Sequence, residues 1–279
     1  MGKKEALAWG IKHASGDLLL LSDSDGELEI NAVEELKKPF DNPKVGTVCG
    51  QIMVRNFRSS FLTRMQRFIY FNAFEVGRAS QSLFKHIVVA SGALSMYRKN
   101  LFDDKSLNLL KKTRFIGINC NTGDDRLLTD IINEKNYISI YQSSAICHTD
   151  VPEKSIKYFK QQIRWLKSAY IQSLYSFRYC WKKPFLLTYQ VFESYLWVVN
   201  FVVTLVLIYF TGIKFSLQII IIWIIYRVLF ALISSIRIRK LGKVNYIVSI
   251  MYSLAYGFII LILRIYSLIT IWRTGWNTR

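Results

Sequence analysis

Apolar and polar positions follow two regimes along this chain. Up to about residue 183, charged and polar side chains interrupt every apolar stretch, and beyond it lie three long apolar segments, 184–210, 215–236 and 244–272. Each exceeds the roughly 20 residues a helix needs to cross the hydrocarbon core of a bilayer. The pattern predicts a polar domain over residues 1–153, a basic amphipathic stretch over 154–183, membrane helices over 184–272 and a short tail, 273–279.

Within the polar part, Ala, Leu and Trp recur at helical spacing over 3–14, and Ser15-Gly16 ends that helix. Residues 17–22 are a short apolar run, as in a strand buried on both faces of a parallel sheet. A second helix is predicted over 31–40 and a second strand over 45–54. This is the α/β rhythm of a nucleotide-binding sheet, whose ligands lie beyond the C-terminal ends of the strands. The sequence SDSDG at 22–26 falls at such an end. Residues 57–83 predict a long helix with Phe61, Met65, Phe68, Ile69 and Phe74 set against Arg58, Arg64, Arg67 and Arg78. Such a helix lies on a bilayer or faces a core. Residues 87–97 return to strand-like types, and 154–181 form another basic amphipathic helix.

Charge then narrows the partners. The formal net charge is +18, from 37 Lys and Arg against 19 Asp and Glu. No zinc-finger, RNP or basic-zipper pattern accompanies it, so nucleic acid is set aside. Basic residues beside apolar spans instead mark a cytoplasmic face, anionic lipid and anionic substrates. The cysteines Cys49, Cys120, Cys147 and Cys180 show no CxxC spacing, and the three histidines are scattered, which argues against a zinc site.

Four motifs carry candidate chemistry. Asp23 and Asp25, one residue apart past a buried strand, can share a hard divalent cation that neutralises a diphosphate, or simply form an Asx-turn. In GDDR, Asp124 and Asp125 repel and need an anchor, which Arg126 could supply. One of them could serve as a general base, or Asp124 could N-cap the helix 126–133. In QQIRW, Gln161 shares a helix face with Arg164 and Trp165, suiting a phosphate and a sugar ring, or a snorkelling Arg and interfacial Trp. Last, Trp276 and Arg279 in WNTR could close over an anion, or be a belt residue and a basic tail.

Their order is more telling than any one of them: DSD, then SGALSMYR from Ser91 and Gly92, then GDDR, QQIRW, apolar spans and WNTR. It resembles the processive membrane family-2 glycosyltransferases, and among them the bacterial hyaluronan synthases. FNAFEVGRASQSL, GDDRLLT and YQSSAICHTDVPEKSIKYFKQQIRWLKS extend the match across the chain. The resemblance implies a GT-A-like α/β nucleotide-sugar-binding domain followed by transmembrane helices, in a multi-pass cell-membrane protein with a cytoplasmic catalytic domain.

It further implies that Asp25 ligates Mg²⁺ or Mn²⁺ on the donor, with Asp23 beside the nucleotide. Asp125 is then the base, next to Asp124. Trp165 stacks under the acceptor near Ser91 and Gly92. Gln161 and Arg164 lie near the diphosphate, and Trp276 and Arg279 gate it. The implied substrates are UDP-GlcNAc, UDP-GlcA and a growing polysaccharide. A chitin-oligosaccharide or poly-N-acetylglucosamine synthase using UDP-GlcNAc alone is the nearest alternative, and a non-catalytic membrane subunit is one of another class.

Three departures are expected to matter: Ala93 stands where the family has proline, Asn277 where it commonly has glycine, and the match begins after the family's first β-α-β portion. The domain is therefore expected to be incomplete at its N-terminus, with an open sheet edge that a separate polypeptide could fill. Basic residues flank 244–272 on both sides, so this segment is expected to be broken or re-entrant near 257–264, returning WNTR to the cytoplasmic face.

Overall fold

In the computed structural model, which describes residues 2–111, 114–115, 117–119, 122–191, 195–239 and 246–273, α1 (Lys3–His13) leads into β1 (Leu18–Leu21) and then β2 (Glu27–Leu28). α2 (Ala32–Lys37) and a 3₁₀ turn precede β3 (Val45–Val54). α3 (Phe61–Phe71), a π-helical stretch (Asn72–Arg78) and α4 (Ala79–Leu83) form one continuous helical run. β4 (Ser95–Arg98) and α5 (Asp104–Lys111) follow, then the short hairpin of β5 (Arg114–Phe115) and β6 (Ile118–Asn119). α6 (Asp124–Glu134) and β7 (Ile138–Thr149) close the polar domain. Beyond it come α7 (Ser155–Cys180), α8 (Pro184–Val191), α9 (Trp197–Ile238) and α10 (Tyr246–Ile269).

The main sheet is mixed, in the order β1-β4-β3-β7-β2. Only β3 and β7 run parallel, and β4 is antiparallel to both β1 and β3. Strand β1 therefore departs from the expected doubly buried parallel strand. Among the described residues it pairs with β4 alone, and Leu20 is 39% exposed although Leu19 is buried. A run of four leucines reads alike at an edge and in the middle of a sheet, so sequence pattern alone does not tell the two apart. The long partner strand β7 escapes the pattern because Gln142, Ser143 and Ser144 interrupt it where its register against β3 slips.

The helix expected over 57–83 begins later, at Phe61. The Ser60 hydroxyl accepts from the Thr63 N–H at 3.1 Å and fixes the start. Its apolar face meets protein: the rings of Phe68 and Tyr252 pack edge-on, 5.4 Å apart. Of the strand expected over 87–97, only the last residues join the ladder.

The apolar region also differs from expectation. The first two apolar segments meet in α9, one helix of 42 residues without a turn between them. At 1.5 Å per residue it is about 63 Å long. Among the described residues, two stretches are long and apolar enough to cross a membrane, Leu217–Ile236 and Tyr246–Ile269, with mean hydropathy 2.5 and 2.1. The second shows no break: α10 is continuous through Gly257 and Arg264. It pairs antiparallel with α9. Arg227 Nε donates to the Ser253 carbonyl at 2.8 Å, Ser253 Oγ donates to the Arg227 carbonyl at 2.9 Å, and the Arg264 guanidinium lies over Trp197 at 5.6 Å. The far end of α10 comes back to α7, where Lys167 Nζ donates to the Arg273 carbonyl at 2.8 Å. A helical hairpin returns the chain without the re-entrant kink that three separate crossings would require.

Candidate active site

Two loops and a helix start build the site. After β1 the chain turns at Asp23, whose carbonyl accepts from the Gly26 N–H at 3.1 Å. The Ser22 hydroxyl ties this turn to the Ala93 carbonyl at 3.1 Å, so the loop at Ser91–Ala93 and the DSD turn are held together. The Ser91 N–H in turn reaches Cys49 Sγ on β3 at 3.2 Å. Gly92 forms the floor between the acidic motifs. A β-carbon there would lie 3.7 Å from Asp23 Oδ1 and 3.8 Å from Asp125 Cβ.

Asp124 and Asp125 open α6, and the cap position is Gly123, not Asp124. Gly123 has φ +81°, a left-handed conformation that favours glycine. Both carboxylates thus stand in the first helical turn, where the helix dipole favours negative charge. Their anchor is Lys3, not Arg126. Lys3 Nζ lies 3.1 Å from Asp23 Oδ1 and 3.2 Å from Asp124 Oδ2, bridging the two motifs. Burial works to lower the Lys3 ammonium's pKa, but Asp124 and Asp23 together hold it above its ordinary value. The Arg126 side chain is buried and its charge acts on Asp130, while its backbone N–H donates to Asp125 Oδ1 at 2.8 Å. Burial and the neighbouring Asp124 raise the Asp125 carboxyl, against the opposing pull of that N–H, Lys3 and Arg78.

The QQIRW helix backs the acidic helix directly. A β-carbon on Gly123 would come within 2.1 Å of Ser168 Oγ on α7. Deeper in, Asp130 Oδ1 accepts from Ser176 Oγ at 2.9 Å and from the Tyr179 hydroxyl at 2.6 Å, and the Tyr175 hydroxyl donates to Glu134. This seam leaves Trp165 40% exposed, its ring centroid 6.4 Å from that of Tyr70 on α3. The Tyr70 phenol lies within electrostatic reach of Asp25, Asp23, Arg78 and Arg164.

Asp23, Asp124, Asp125, Ser91 and Gly92 therefore come together in space, and Asp25, Arg164 and Trp165 join them through Tyr70. Gln161 is not drawn in by any contact among the described residues, and its Oε1 is buried without a hydrogen-bond partner there. Trp276 and Arg279 lie outside the described residues. Sequence reasoning missed Lys3, Tyr70 and Arg78. Arg78 stacks on Phe74 at 4.0 Å, with Nε donating to the Val89 carbonyl at 3.0 Å. The π-helical stretch that carries Arg78 falls within FNAFEVGRASQSL, the segment that could have flagged it.

Among the described residues no three His, Cys, Asp or Glu side chains gather as a metal-binding set. The hard oxygens of Asp23 and Asp25 are nevertheless of the kind that would hold a divalent cation, for which one or two carboxylates suffice where other oxygen ligands complete the set.

Comparison with known proteins agrees with this architecture. The family described as glycosyl transferase family 2 matches residues 1–105. A hyaluronan synthase of Streptococcus pyogenes is 34% identical over 278 residues, covering 100% of this chain and 66% of its own length. Hyaluronan synthase 3 of Homo sapiens is 29% identical, covering 99% of the chain and 50% of its own length. The chain thus spans from half to just under two thirds of these relatives. Among solved structures, mannosyltransferase PcManGT from Pyrobaculum calidifontis, in complex with GDP-Man and Mn²⁺, superposes with TM-score 0.55 at 17% identity, covering 100% of this chain and 68% of its own. That likeness extends to the fold, a GT-A-like mixed sheet. Residues 1–105 thus carry a family-2 glycosyltransferase domain, and the chain is similar over its whole length to the hyaluronan synthases.

Proposed function

We propose that this protein is the catalytic part of a processive, inverting glycosyltransferase that extends a polysaccharide at the cell membrane from UDP-GlcNAc and UDP-GlcA. The observation that carries the reading is the convergence of Asp23, Asp124 and Asp125 around Gly92 and Lys3, with the Trp165 helix seated against the Gly123 turn.

In the proposed reaction an acceptor hydroxyl attacks the anomeric carbon of the donor sugar. A new glycosidic C–O bond forms as the bond from that carbon to the diphosphate oxygen breaks, and UDP departs. Asp125 accepts the hydroxyl proton, a task that its raised proton affinity suits. Asp25, with Asp23, would hold Mg²⁺ or Mn²⁺, which supplies charge stabilisation to the leaving diphosphate. Lys3 would exchange its carboxylate partners for phosphate oxygens as the donor enters, and Arg164 would add a second cation. Trp165 offers the acceptor sugar an exposed indole face.

The antiparallel pair of α9 and α10 supports a multi-pass arrangement, and the basic residues beside the apolar spans support a cytoplasmic catalytic domain. The contact of Lys167 with Arg273 ties the end of the described chain to the QQIRW helix, which supports a gating role for Trp276 and Arg279. The outer edge of β1 offers main-chain groups to a strand from a separate polypeptide.

The test is titration calorimetry of the detergent-solubilised chain with UDP and Mn²⁺, beside an Asp25→Asn variant. Metal-dependent binding that the variant loses is the expected result. Binding that is equal with and without Mn²⁺, or unaffected by Asp25→Asn, overturns the assignment of Asp25.

A further inference from the structure

We propose that Tyr70 contacts the acceptor: with Trp165 it forms an aromatic corner that seats the terminal sugar, and its hydroxyl donates a hydrogen bond to that sugar. The proposal rests on the glycosyltransferase reading above and adds a residue to its acceptor side.

An aromatic ladder runs from the core to the site. Tyr141 and Phe74 are 6.1 Å apart, Phe74 and Tyr70 6.4 Å, and Tyr70 and Trp165 6.4 Å between ring centroids. Burial relaxes along it. Tyr141 and Phe74 are buried, Tyr70 is half-buried and Trp165 is exposed. The two outermost rings do not stack, since their planes meet at 59°. At that angle one ring can offer its face to the C–H side of a pyranose while the other presents its edge and hydroxyl.

The hydroxyl itself separates Tyr70 from the tyrosines that serve packing. Tyr141, Tyr175 and Tyr179 spend theirs on Glu75, Glu134 and Asp130 respectively. Among the described residues, none accepts from the Tyr70 hydroxyl, although Asp25, Asp23, Arg78 and Arg164 are within electrostatic reach of it. A polar group so placed is normally matched by a partner, and a ligand hydroxyl supplies one. Burial pushes this phenol up to about 12, against the pull of Arg78, so it remains a neutral donor at ordinary pH. The corner is also held in place. Gln66 Nε2, one turn before Tyr70 on α3, donates to the Pro152 carbonyl at 2.7 Å, just ahead of the Trp165 helix.

The experiment uses the full chain in detergent with Tyr70→Phe and Tyr70→Ala, titrated with UDP plus Mn²⁺ and, separately, with a trisaccharide of N-acetylglucosamine. Tyr70→Phe keeps the ring and should melt with the parent. It is expected to bind the trisaccharide about five- to tenfold more weakly, the scale of one hydrogen bond. Tyr70→Ala should weaken it further, while UDP affinity in both stays within about twofold. Unchanged trisaccharide affinity in both variants overturns the proposal. So does an equal loss of UDP binding in Tyr70→Phe, which would move the hydroxyl to the donor side. A parent chain that binds UDP with Mn²⁺ but no trisaccharide overturns the proposal and leaves the donor site standing. A parent that binds neither overturns both.

Discussion

Lys3 and Asp124 form an ion pair of 3.2 Å between the first helix of the domain and the helix that carries the candidate base. The same ammonium holds Asp23 at 3.1 Å, so one cation keeps two acidic motifs from repelling each other. Replacing it leaves Asp23, Asp124 and Asp125 facing one another around Gly92.

Lys3→Gln is therefore expected to raise the Asp125 carboxyl further, because Lys3 is one of the charges now holding it down. A base with a raised pKa is idle below it, so the acid limb of a pH profile of kcat/KM should move to higher pH. An unmoved limb would show that Asp125 does not limit the rate on that side.

Gly123 carries two constraints at once, a left-handed φ and a 2.1 Å approach to Ser168 Oγ. Gly123→Ala should cost roughly 2–5 kcal/mol from backbone strain and overpacking together. Adding Ser168→Gly should restore part of this, since the hydroxyl leaves but φ and the 3.2 Å approach to Gln172 Cγ remain. Thermal melts of the single and double variants read the difference.

Asp130 makes the seam between α6 and α7 sensitive to pH. Burial pushes its carboxyl up to about 7, against Arg126 and the hydrogen bonds from Tyr179 and Ser176. The folded protein then holds a proton that the unfolded chain has already released above pH 4. The stability this site contributes is complete below that point and is lost as pH rises through about 7. The Tm of the parent should fall between pH 5 and pH 8 more steeply than that of Asp130→Asn. Parallel curves would remove Asp130 from the account.

Lys167 is buried, and its ammonium binds the Arg273 carbonyl three residues before Trp276. Lys167→Met keeps the length of the side chain and removes that tether. If WNTR closes over the donor, the KM for nucleotide sugar should rise severalfold with a smaller change in kcat. A change confined to thermal stability would make the contact purely architectural.

Much of this was legible in the residues, for reasons that differ by element. Val45–Val54 is found because a strand buried along nearly its whole length is apolar throughout, and α6 because its apolar residues recur at helical spacing. The acidic motifs were visible as chemistry, while their convergence was implied by the family resemblance and not by the pattern of strands and helices. Lys3 was not legible, since one lysine in a basic chain has no local mark and its role comes only from tertiary proximity. The edge position of β1 and the single helix α9 were hidden likewise. Apolar runs report burial or lipid, not which neighbour is paired or whether two runs share an axis.

The π-helical stretch between α3 and α4 has a consequence in angular phase. An α-helix turns about 100° per residue, so one residue more or less rotates everything beyond it by that amount. The wider turn over Asn72–Arg78 lets Phe68 face α10 while Arg78 faces the carboxylates. Straightening the run into an unbroken α-helix with its sequence unchanged would swing one of these faces about a quarter turn away, whereas deleting one residue there would remove the wide turn and keep the faces in phase. The grip on the last apolar helix and the charge at the site thus share one residue of slack in the backbone between them.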